Sequence, residues 1–443
     1  MARPKPLSGF PEFLPDERIV EQTVLDTLRE TFELHGFSNI ETRAVEPLAQ
    51  LSRKGEITKE VYVVRRLHAD GADQDELGLH FDLTVPLARW VLEHSGALQF
   101  PFRRYQIQKV WRGERPQEGR YREFTQADID IIGRGELAAH HDVEAPLVML
   151  EALERLHERI GLPPVLMHVN NRKLSEGFYR GLGVTDTLGV LQIVDKYDRI
   201  GAQATTQLLV DELGLDAGVA ERCVELATIR SDDTGFVDRV RTLGVADELL
   251  DEGLAELVTL VEEANRRVPG RLCADLSIAR GLDYYTGCVY EAELIGFESM
   301  GSISSGGRYD SLASDGRSSY PGVGISLGVT RLLGPLLARG QFVVSRPVPT
   351  CVLVAVDSEE TRERALDVAA VLRGRGIPTE VAPRADKYGK QIRYADRRGI
   401  PFVWFGPRVG EVKDIRSGDQ QPADAADWMP EEADLHPRVL PSE

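Results

Sequence analysis

The sequence is poor in cysteine and contains no long hydrophobic run. Its 443 residues include only four cysteines, which form no C-x-x-C pair and have no histidine at metal-ligand spacing. This scarcity argues against a disulfide scaffold and a structural zinc site, and it indicates a reducing compartment. No run approaches about 18 apolar residues, so no membrane-spanning helix is predicted. The N-terminal stretch MARPKPLSGFPEFLPDE lacks the apolar core of a signal peptide, and we therefore expect a cytoplasmic protein.

Basic residues are also fewer than acidic ones. The chain has 53 lysines and arginines against 71 acidic residues, a net charge of -18. This balance excludes a uniformly basic nucleic-acid coat protein, but it allows a local basic groove on an acidic body. The phosphate-binding pattern G-x-x-x-x-G-K-[ST] is absent, which excludes a P-loop ATPase. The length corresponds to two or three domains at a prior of about 150 residues each.

Hydrophobic spacing divides the first two thirds of the chain into distinct regions. Apolar residues at helical spacing predict amphipathic helices over 16–35 and 142–161. The segment 98–135 alternates like a strand pair around a polar loop. Short helical patterns separated by Gly or Asp fill 169–267, which predicts a helical insert.

The last third begins with a strand-like segment, a glycine-rich stretch and an apolar helix over 271–340. The run 343–349, with two prolines, is predicted to be a linker. After it, three apolar segments alternate with helical patterns over about 359–374 and 386–398. This β-α-β-α-β order predicts a small parallel α/β domain.

The segment 101–133 is rich in arginine and predicts a β-hairpin, with the turn formers Pro116 and Gly119 in its connection. Residues 103–122 hold seven basic and two acidic residues, a local net charge of +5 on a chain of -18. Arginines at the tip of a hairpin suit a polyphosphate ligand, because guanidinium binds phosphate bidentately and keeps its charge.

The second strand of this hairpin carries Gln126, Asp128 and Asp130 among apolar neighbours. Acidic side chains beside arginine on a sheet face are costly unless a ligand or a hydrogen-bond network satisfies them. A ligand site is therefore favoured over the alternative, a solvated hairpin held by salt bridges.

Three short patterns resemble the class II aminoacyl-tRNA synthetases. WRGE at 111–114, with the strand that follows, resembles motif 2, whose pattern is aromatic-Arg-x-Glu. The segment 36–48 is similar to motif 1, the dimer-interface helix and strand. GVGISLGVTRL at 322–332 resembles motif 3, a glycine-rich strand and a helix with an ATP-binding arginine. These three patterns alone leave many amino-acid specificities open.

Longer strings narrow the resemblance to the histidyl-tRNA synthetase family. RGLDYYTG at 280–287 and SSGGRYDSL at 304–312 are similar to its two signature peptides. LHFDLTVPLAR at 79–89 and RPQEGRYREF at 115–124 are similar to two further stretches of the same enzymes.

The resemblance implies an α+β catalytic domain built on an antiparallel sheet, with a helical insert and a C-terminal α/β domain of the anticodon-binding type. The expected boundaries are 1–168 for the first part of the catalytic domain and 169–267 for the insert. The second part of the catalytic domain is expected over 268–342, and the linker with the C-terminal domain over 343–443.

The resemblance also implies the reaction. L-Histidine and ATP, the latter with Mg2+, would form histidyl-adenylate and pyrophosphate, and the histidyl group would then pass to tRNA with release of AMP. No structural metal is expected. Arg112 and Arg280 would be the catalytic arginines at the α-phosphate of ATP, where other class II enzymes rely on a metal ion at the position of Arg280. Glu114 would contact the adenine edge and Arg331 the far end of ATP.

The family's histidine-binding positions match residues in three segments of this chain. Asp82 and Thr84, with Leu83 between them, and Gln126 would form the subsite for the ammonium group, for which a carboxylate is the natural partner. Asp130, Tyr284 and Tyr285 would contact the imidazole, which needs an acceptor and a donor on opposite edges. For the two tyrosines, half-buried strand packing is an equally good interpretation without the resemblance.

Candidate tRNA contacts lie in two places. Arg115 and Gln117, at the hairpin tip, match family positions near the acceptor end, although a plain exposed turn is the alternative. Residues 371–410 have a net charge of +6, and Lys387, Lys390 and Arg397 fall on one predicted helical face. A solvated face explains these three equally well, and only the resemblance favours anticodon contact. The motif 1 match further implies a homodimer.

Two residues depart from the family pattern. Thr330 stands where motif 3 commonly has Glu before the arginine, which leaves one local hydrogen bond open. His80 stands where many relatives have Arg, so that a contact near ATP is expected to differ.

Two other functions are weighed against the ligase. A synthetase-like regulatory subunit of histidine biosynthesis would keep the fold as a binding module. The resemblance implies that such proteins lack the anticodon domain and have altered ATP-binding arginines, whereas this sequence has both the domain and the arginines. A class II synthetase for proline or threonine would keep motifs 1 to 3 without RGLDYYTG.

Overall fold

The computed structural model describes residues 4–52, 59–67, 76–279, 284–314 and 316–441. These residues form two compact units. Most of the first unit comes from residues 25–158 and 162–335, and most of the second from residues 336–441, with the short segments 12–24 and 159–161 also assigned to the second. No helix among the described residues is long and apolar enough to cross a membrane. The domain boundaries given above remain predictions.

Fourteen α-helices lie in these residues. In chain order they are α1 Pro15–Leu34, α2 Leu48–Leu51, α3 Thr84–His94, α4 His140–Ile160, α5 Arg172–Gly181, α6 Thr187–Val194, α7 Tyr197–Leu213, α8 Ala217–Ala227, α9 Phe236–Thr242, α10 Glu248–Arg267, α11 Val329–Ala338, α12 Arg362–Gly374, α13 Tyr388–Arg397 and α14 Glu432–Leu435. Helices α1 and α4 confirm, within two residues at each end, the amphipathic helices predicted over 16–35 and 142–161. In α1, Val20, Val24, Leu28 and Phe32 recur every four residues and are all buried.

Nineteen strands lie in the same residues. In chain order they are β1 Ser38–Asn39, β2 Val45–Pro47, β3 Val63–Val64, β4 Leu77–Leu79, β5 Phe102–Trp111, β6 Glu123–Ile132, β7 Val165–Asn171, β8 Arg230–Ser231, β9 Leu272–Asp275, β10 Cys288–Leu294, β11 Ser304–Tyr309, β12 Gly322–Gly328, β13 Phe342–Val344, β14 Val352–Val354, β15 Thr379–Val381, β16 Phe402–Phe405, β17 Val409–Asp414, β18 Gln420–Asp424 and β19 Val439–Pro441.

The first unit is built on a nine-stranded sheet in the order β1-β5-β6-β12-β11-β10-β7-β9-β8. The six central strands, from β5 to β7 in this order, pair antiparallel. The pairs β1–β5 and β7–β9 are parallel. The expected antiparallel sheet is thus confirmed, and the segment between β7 and β9 is mainly helical, with six helices and one short strand.

The predicted arginine hairpin is confirmed. Strands β5 and β6 pair over ten residues, from Phe102 opposite Ile132 to Trp111 opposite Glu123. Because side chains alternate between the two faces of a strand, Gln126, Asp128 and Asp130 point to one face of the sheet. Strand β12 pairs with the other edge of β6 and places Ser326 opposite Asp128.

The second unit contains a five-stranded sheet in the order β15-β14-β16-β17-β18. The pairs β14–β15 and β14–β16 are parallel, as the β-α-β-α-β pattern predicts. The hairpin β17–β18, which extends this sheet antiparallel, was not predicted. Apart from the buried Val412, the residues of these strands are exposed or half-buried and mainly polar, so that the period-two alternation used to recognise strands is missing.

Candidate active site

Two adjoining cavities lie over the nine-stranded sheet, one of about 380 Å³ and one of about 790 Å³. Residues that line both are Glu60, Arg112, Gln126, Asp195, Ser305 and Ser326. The two cavities therefore form one continuous space, which is large enough for two small-molecule ligands side by side.

Most of the predicted binding residues meet in this space. The smaller cavity is lined by Asp82, Thr84, Arg112, Gln126, Asp130, Tyr284 and Tyr285. The larger cavity adds Glu114 and Arg331. The smaller cavity thus carries carboxylates, an amide and phenols, whereas arginines gather around the larger one.

Arg112 lies directly after β5 and is held from two sides. Its Nε donates to the carbonyl oxygen of Phe81 at 3.0 Å, and its guanidinium lies over the Phe124 ring, 5.1 Å from the centroid. Its Nη1 is 3.8 Å from Glu114 Oε1. These contacts fix the guanidinium at the junction of the two cavities.

Arg331 enters the larger cavity from the first turn of α11. Its Nη2 donates to the carbonyl oxygen of Met300 at 2.8 Å, whereas its Nε is buried with no hydrogen-bond partner among the described residues. Burial and the neighbouring Arg120 lower the pKa of Arg331 below its usual range. A buried, incompletely paired arginine beside other arginines is suited to an anionic ligand.

Thr330, the departure from the motif 3 pattern, makes its own hydrogen bond. The side chain is buried, and its Oγ1 accepts from the backbone N–H of Thr125 at 2.9 Å. This contact joins the start of α11 to β6 at the residue before Arg331.

Asp82 and Thr84 stand at the beginning of α3. Asp82 Oδ1 accepts from the backbone N–H of Val85 at 3.1 Å, which fixes the carboxylate at the helix N-terminus. Leu83, between them, is fully buried and lines neither cavity, so its place is in the packing that positions its neighbours.

His80 also lies outside the cavity lining. Its Nε2 hydrogen-bonds the carbonyl oxygen of Lys109 at 2.7 Å, and its ring stacks on Trp111 at 5.5 Å between centroids. Burial lowers the pKa of His80. At the position where many relatives have Arg, this chain therefore has a neutral imidazole that packs against β5.

A hydrogen-bonded row of polar side chains crosses the floor of the smaller cavity. Gln126 Nε2 donates to Ser326 Oγ at 2.8 Å, and Ser326 Oγ donates to Asp128 Oδ1 at 2.5 Å. The other amide atom, Gln126 Oε1, is buried with no hydrogen-bond donor among the described residues. An acceptor in this state is suited to a ligand that carries N–H groups.

Asp130 is held at both carboxylate oxygens. Tyr309 donates its hydroxyl to Oδ1 at 2.6 Å, and Arg104 Nη2 lies 2.6 Å from Oδ2. Arg104 is fully buried, so this ion pair forms in a low-dielectric setting beneath the cavity.

Tyr284 and Tyr285 lie together at one wall of the smaller cavity. Their hydroxyl oxygens are 3.1 Å apart and their ring centroids 4.4 Å apart. Phenolic hydroxyls can donate or accept, so the pair offers either function to a ligand ring.

The remaining predicted residues lie elsewhere. Arg280 falls outside the described residues. Arg115 and Gln117 are exposed in the connection between β5 and β6 and line neither cavity. Lys387, Lys390 and Arg397 are exposed at or on α13, in the second unit.

Several cavity residues were not predicted as site residues. Asp128 and Ser326 lie opposite each other on neighbouring strands. The hairpin sequence marks Asp128 as an acid beside arginine without giving it a role, and a polar residue between the buried Ile325 and Leu327 is the signal that could have identified Ser326. Tyr309 belongs to the string SSGGRYDSL but was not singled out. Asp195 follows α6, far from any motif, and nothing in its local sequence indicates a place beside the sheet.

Comparison with known proteins agrees with this geometry. A family model described as histidyl-tRNA synthetase matches residues 9–332, and one described as an anticodon binding domain matches residues 350–408. A protein of Cutibacterium acnes named histidine–tRNA ligase is 66% identical, covering 99% of this chain and 99% of its own. A protein of the same name from Micrococcus luteus is 59% identical, again over 99% of each chain.

A solved structure shares the architecture. The crystal structure of histidyl-tRNA synthetase from Nostoc sp. PCC 7120 superposes with a TM-score of 0.83 at 34% identity, covering 96% of this chain and 98% of that one. The likeness includes both the antiparallel sheet and the C-terminal α/β unit. From the family models, the full-length relatives and this structure, we conclude that the chain belongs to the histidyl-tRNA synthetase family.

Proposed function

We propose that this chain is a histidine–tRNA ligase, which uses ATP to join L-histidine to its tRNA through a histidyl-adenylate. The observation that carries this proposal is the continuous space over the sheet. A carboxylate-rich cavity for an amino acid opens directly into a larger cavity with Arg112, Arg120 and Arg331. The reacting carboxylate and the α-phosphate of ATP would meet where the two cavities join.

In the first step, the histidine carboxylate attacks the α-phosphorus of ATP and pyrophosphate leaves. The developing negative charge is stabilised by Arg112 at the junction and by Arg280. Because the step needs mainly positioning and charge stabilisation, fixed guanidinium groups account for most of the protein's contribution. Glu114 contacts the adenine edge, and Arg331 holds the far end of the nucleotide.

ATP enters as its Mg2+ complex. Mg2+ with a nucleotide usually needs only one or two protein carboxylates, because phosphates and water supply the other ligands. Since Glu114 is assigned to the adenine edge, Glu291 is the carboxylate on the larger cavity that would fit this role. No group of three or more acidic, histidine or cysteine side chains in the described part of the chain could hold a metal ion by itself.

Histidine occupies the smaller cavity. Asp82, Thr84 and Gln126 bind its ammonium group, and the unsatisfied Gln126 Oε1 supports this assignment. Asp130, Tyr284 and Tyr285 bind the imidazole, while the buried Leu83 fixes the chain between Asp82 and Thr84. Both carboxylate oxygens of Asp130 are already held, one by a hydrogen bond and one by an ion pair, so this acceptor is rigid before the imidazole binds.

In the second step, the histidyl group passes to the terminal ribose of the tRNA and AMP is released. Arg115 and Gln117 contact the acceptor end, and Lys387, Lys390 and Arg397 contact the anticodon arm. Their exposure on the hairpin connection and on α13 supports these roles. We further propose that the enzyme acts in the cytoplasm as a homodimer formed through the motif 1 segment. Sedimentation of the purified chain at about twice its monomer mass of 49.2 kDa would support the dimer.

Histidine-dependent exchange of pyrophosphate into ATP tests the function. We expect exchange with histidine and with none of the other nineteen amino acids. Absence of exchange with all twenty would favour a regulatory binding module, and exchange with proline or threonine would favour another class II specificity.

A further inference from the structure

We propose that Asp128 is a further substrate-binding residue, a second carboxylate that faces the α-ammonium group of the amino acid together with Asp82 and Gln126. This assignment rests on the proposed function and adds a group to its amino-acid subsite. The chemical class that it recognises is a primary ammonium group attached to the α-carbon.

The position of Asp128 supports this role. Its side chain lines the smaller cavity from β6, two residues after Gln126 and two before Asp130, on the same face of the strand. Ser326 Oγ donates to Asp128 Oδ1 and itself accepts from Gln126 Nε2. Asp128 and the incompletely bonded amide of Gln126 are thus joined through one hydroxyl and aimed at the same small volume.

The charge balance of the cavity floor also supports the proposed role of Asp128. Five acidic side chains line the smaller cavity, among them Asp82, Asp128 and Asp130. Against these three carboxylates, the described residues place two cations, Arg112 in the lining and the buried Arg104 beneath Asp130. Arg104 is in direct contact with Asp130 at 2.6 Å. With all three carboxylates ionised, the floor carries excess negative charge in a buried setting, and a bound ammonium group would balance it.

The titratable and charged groups around Asp128 come from several elements. They are Glu60 and Asp82 before α3, Arg104 on β5, Arg112 beyond β5, Asp130 on β6, Asp195 after α6, Tyr284 and Tyr285 before β10, and Tyr309 on β11. Burial has the largest influence on the pKa of Asp128 and raises it. The positive charge of Arg104 lowers this pKa and the negative charge of Asp130 raises it, and the net result is a pKa of about 7.

This pKa couples the binding of an ammonium group to the release of a proton. In the empty site Asp128 holds its proton over much of the range below neutrality, and a bound ammonium group favours the ionised form. Binding below about pH 7 therefore releases up to one proton from the Asp128 carboxyl group to solvent. The contribution of Asp128 to affinity increases as the pH rises through about 7 and is then constant.

The test compares the wild-type chain with Asp128→Asn, which keeps the shape but not the charge. Two probes are titrated calorimetrically: L-histidinol, which has the ammonium group but no carboxylate, and imidazolepropionate, which has the ring but no ammonium. At pH 8 we expect Asp128→Asn to bind L-histidinol at least about tenfold more weakly, because the variant cannot form the charge-assisted hydrogen bond to the ammonium group. Its affinity for imidazolepropionate should be unchanged or higher. An equal weakening for both probes, or no weakening for L-histidinol, would overturn the assignment.

The pH profile adds a readout that a merely structural role would not change. The ratio of wild-type to Asp128→Asn affinity for L-histidinol should be about tenfold larger at pH 8 than at pH 6, and the comparison cancels the titration of the ligand's own ring. A ratio independent of pH would contradict the proposal.

A second variant keeps the test decisive if Asp128→Asn does not fold. The Ser326 hydroxyl favours the ionised form of Asp128, so Ser326→Ala should move the rise in L-histidinol affinity to higher pH. An unmoved midpoint would count against Asp128.

Failure of the inference and failure of the proposed function give different results. If the wild-type chain catalyses histidine-dependent exchange but Asp128→Asn binds L-histidinol as tightly at pH 8, only the inference fails. If the wild-type chain shows no such exchange and binds neither probe, the proposed function fails with it.

Discussion

At the scale of single residues, Asp130 is a carboxylate held rigidly in place, as its proposed contact with imidazole requires. The Tyr309 hydroxyl and the buried Arg104 guanidinium hold its two oxygens, each at 2.6 Å. A carboxylate fixed in this way loses little conformational freedom when a ring N–H binds to it. Removal of Arg104 would leave the carboxylate buried without its cation, which is far more costly than the net value of the pair.

Arg280 gives the clearest prediction for a single catalytic side chain. As an arginine at the α-phosphate, it would contribute mainly in the transition state, when negative charge moves on to the phosphate oxygens. We expect Arg280→Ala to lower kcat for histidine-dependent pyrophosphate exchange by about a hundredfold or more, with a much smaller change in histidine Kd. Equal losses in rate and in histidine binding would refute a transition-state role.

Among the residues that line the cavities, those within sequence motifs could be predicted and those outside them were missed. Asp82, Arg112 and Arg331 belong to recognisable strings, and all three line the cavities. Asp195 lines the same space, but it arrives there through the packing of the helical segment against the sheet. Tertiary contacts of this kind leave no trace in local sequence.

Close approach of strands shapes the site at the scale of secondary structure. Gly324, on β12, lies opposite Asp130 on β6, and a Cβ at this glycine would stand 2.1 Å from Asp130 Oδ1 and 2.7 Å from the carbonyl oxygen of Ile129. The absence of a side chain on β12 is therefore what allows the Asp130 carboxylate its position.

Gly324→Ala should displace Asp130 and weaken histidine recognition. We expect the KM for histidine in pyrophosphate exchange to rise at least about tenfold, because the added methyl group meets a fixed carboxylate and backbone. Gly374→Ala, at the end of α12, is the matched control, since a Cβ there meets nothing within 4 Å. An unchanged KM in Gly324→Ala would show that Asp130 is not needed where the structure places it.

Three strands of the sheet are joined by one histidine. His168 on β7 contacts Asp275 on β9 at 3.1 Å and Glu293 on β10 at 2.9 Å. Burial lowers the pKa of His168, but its hydrogen bonds and charge interactions with Asp275 and Glu293 outweigh that effect and raise the pKa to about 9. Asp275 also contacts Arg230 on β8 at 2.9 Å, so the cluster extends to a fourth strand of the sheet.

The raised pKa makes stability depend on pH in a defined direction. His168 binds its proton more tightly in the folded state, so its stabilisation is fully present below about pH 6.5 and is lost as the pH rises through about 9. As the pH rises from about 6.5 to about 9, we expect the Tm of the wild-type chain to fall more than the Tm of His168→Gln. Thermal unfolding followed by circular dichroism measures the difference.

A control for this prediction is His94→Gln, which removes an exposed histidine at the end of α3. Its Tm should follow the wild-type profile. If His168→Gln did the same, the imidazolium at position 168 would not stabilise the sheet.

The success of prediction also differs among elements. The hairpin β5–β6 was predictable because ten-residue strands alternate clearly around a loop with proline and glycine. The hairpin β17–β18 was not, because its polar strands are specified by the pairing of β17 with β16 and of β18 with β17 rather than by their own pattern.

On the scale of the whole molecule, an acidic chain carries two positive regions. The net charge is -18, whereas residues 103–122 and 371–410 have local charges of +5 and +6. This distribution would repel a polyanion from most of the surface and attract it at the hairpin and at α13. The overall charge excluded a basic coat protein but was a poor guide to nucleic-acid binding.

Substitution of the basic face of α13 should affect tRNA and spare the adenylation site. We expect Lys387→Ala and Lys390→Ala to raise the KM for tRNA and to lower the slope of log KM against log salt concentration by about one for each phosphate group that the variant no longer binds. Pyrophosphate exchange, which needs no tRNA, should be unchanged.

Arg364→Ala is the matched control, because it removes an exposed cation from α12 in the same unit. Its salt dependence should equal that of the wild-type chain. Equal slopes in all of these variants would place the tRNA on another surface.

The most direct test of the proposed function is pyrophosphate exchange into ATP by the full chain, measured separately with each of the twenty amino acids. The arrangement of Asp82, Gln126 and Asp130 beside Arg112 predicts exchange with histidine alone. Exchange with a different amino acid, or with none, would contradict the function proposed for this site.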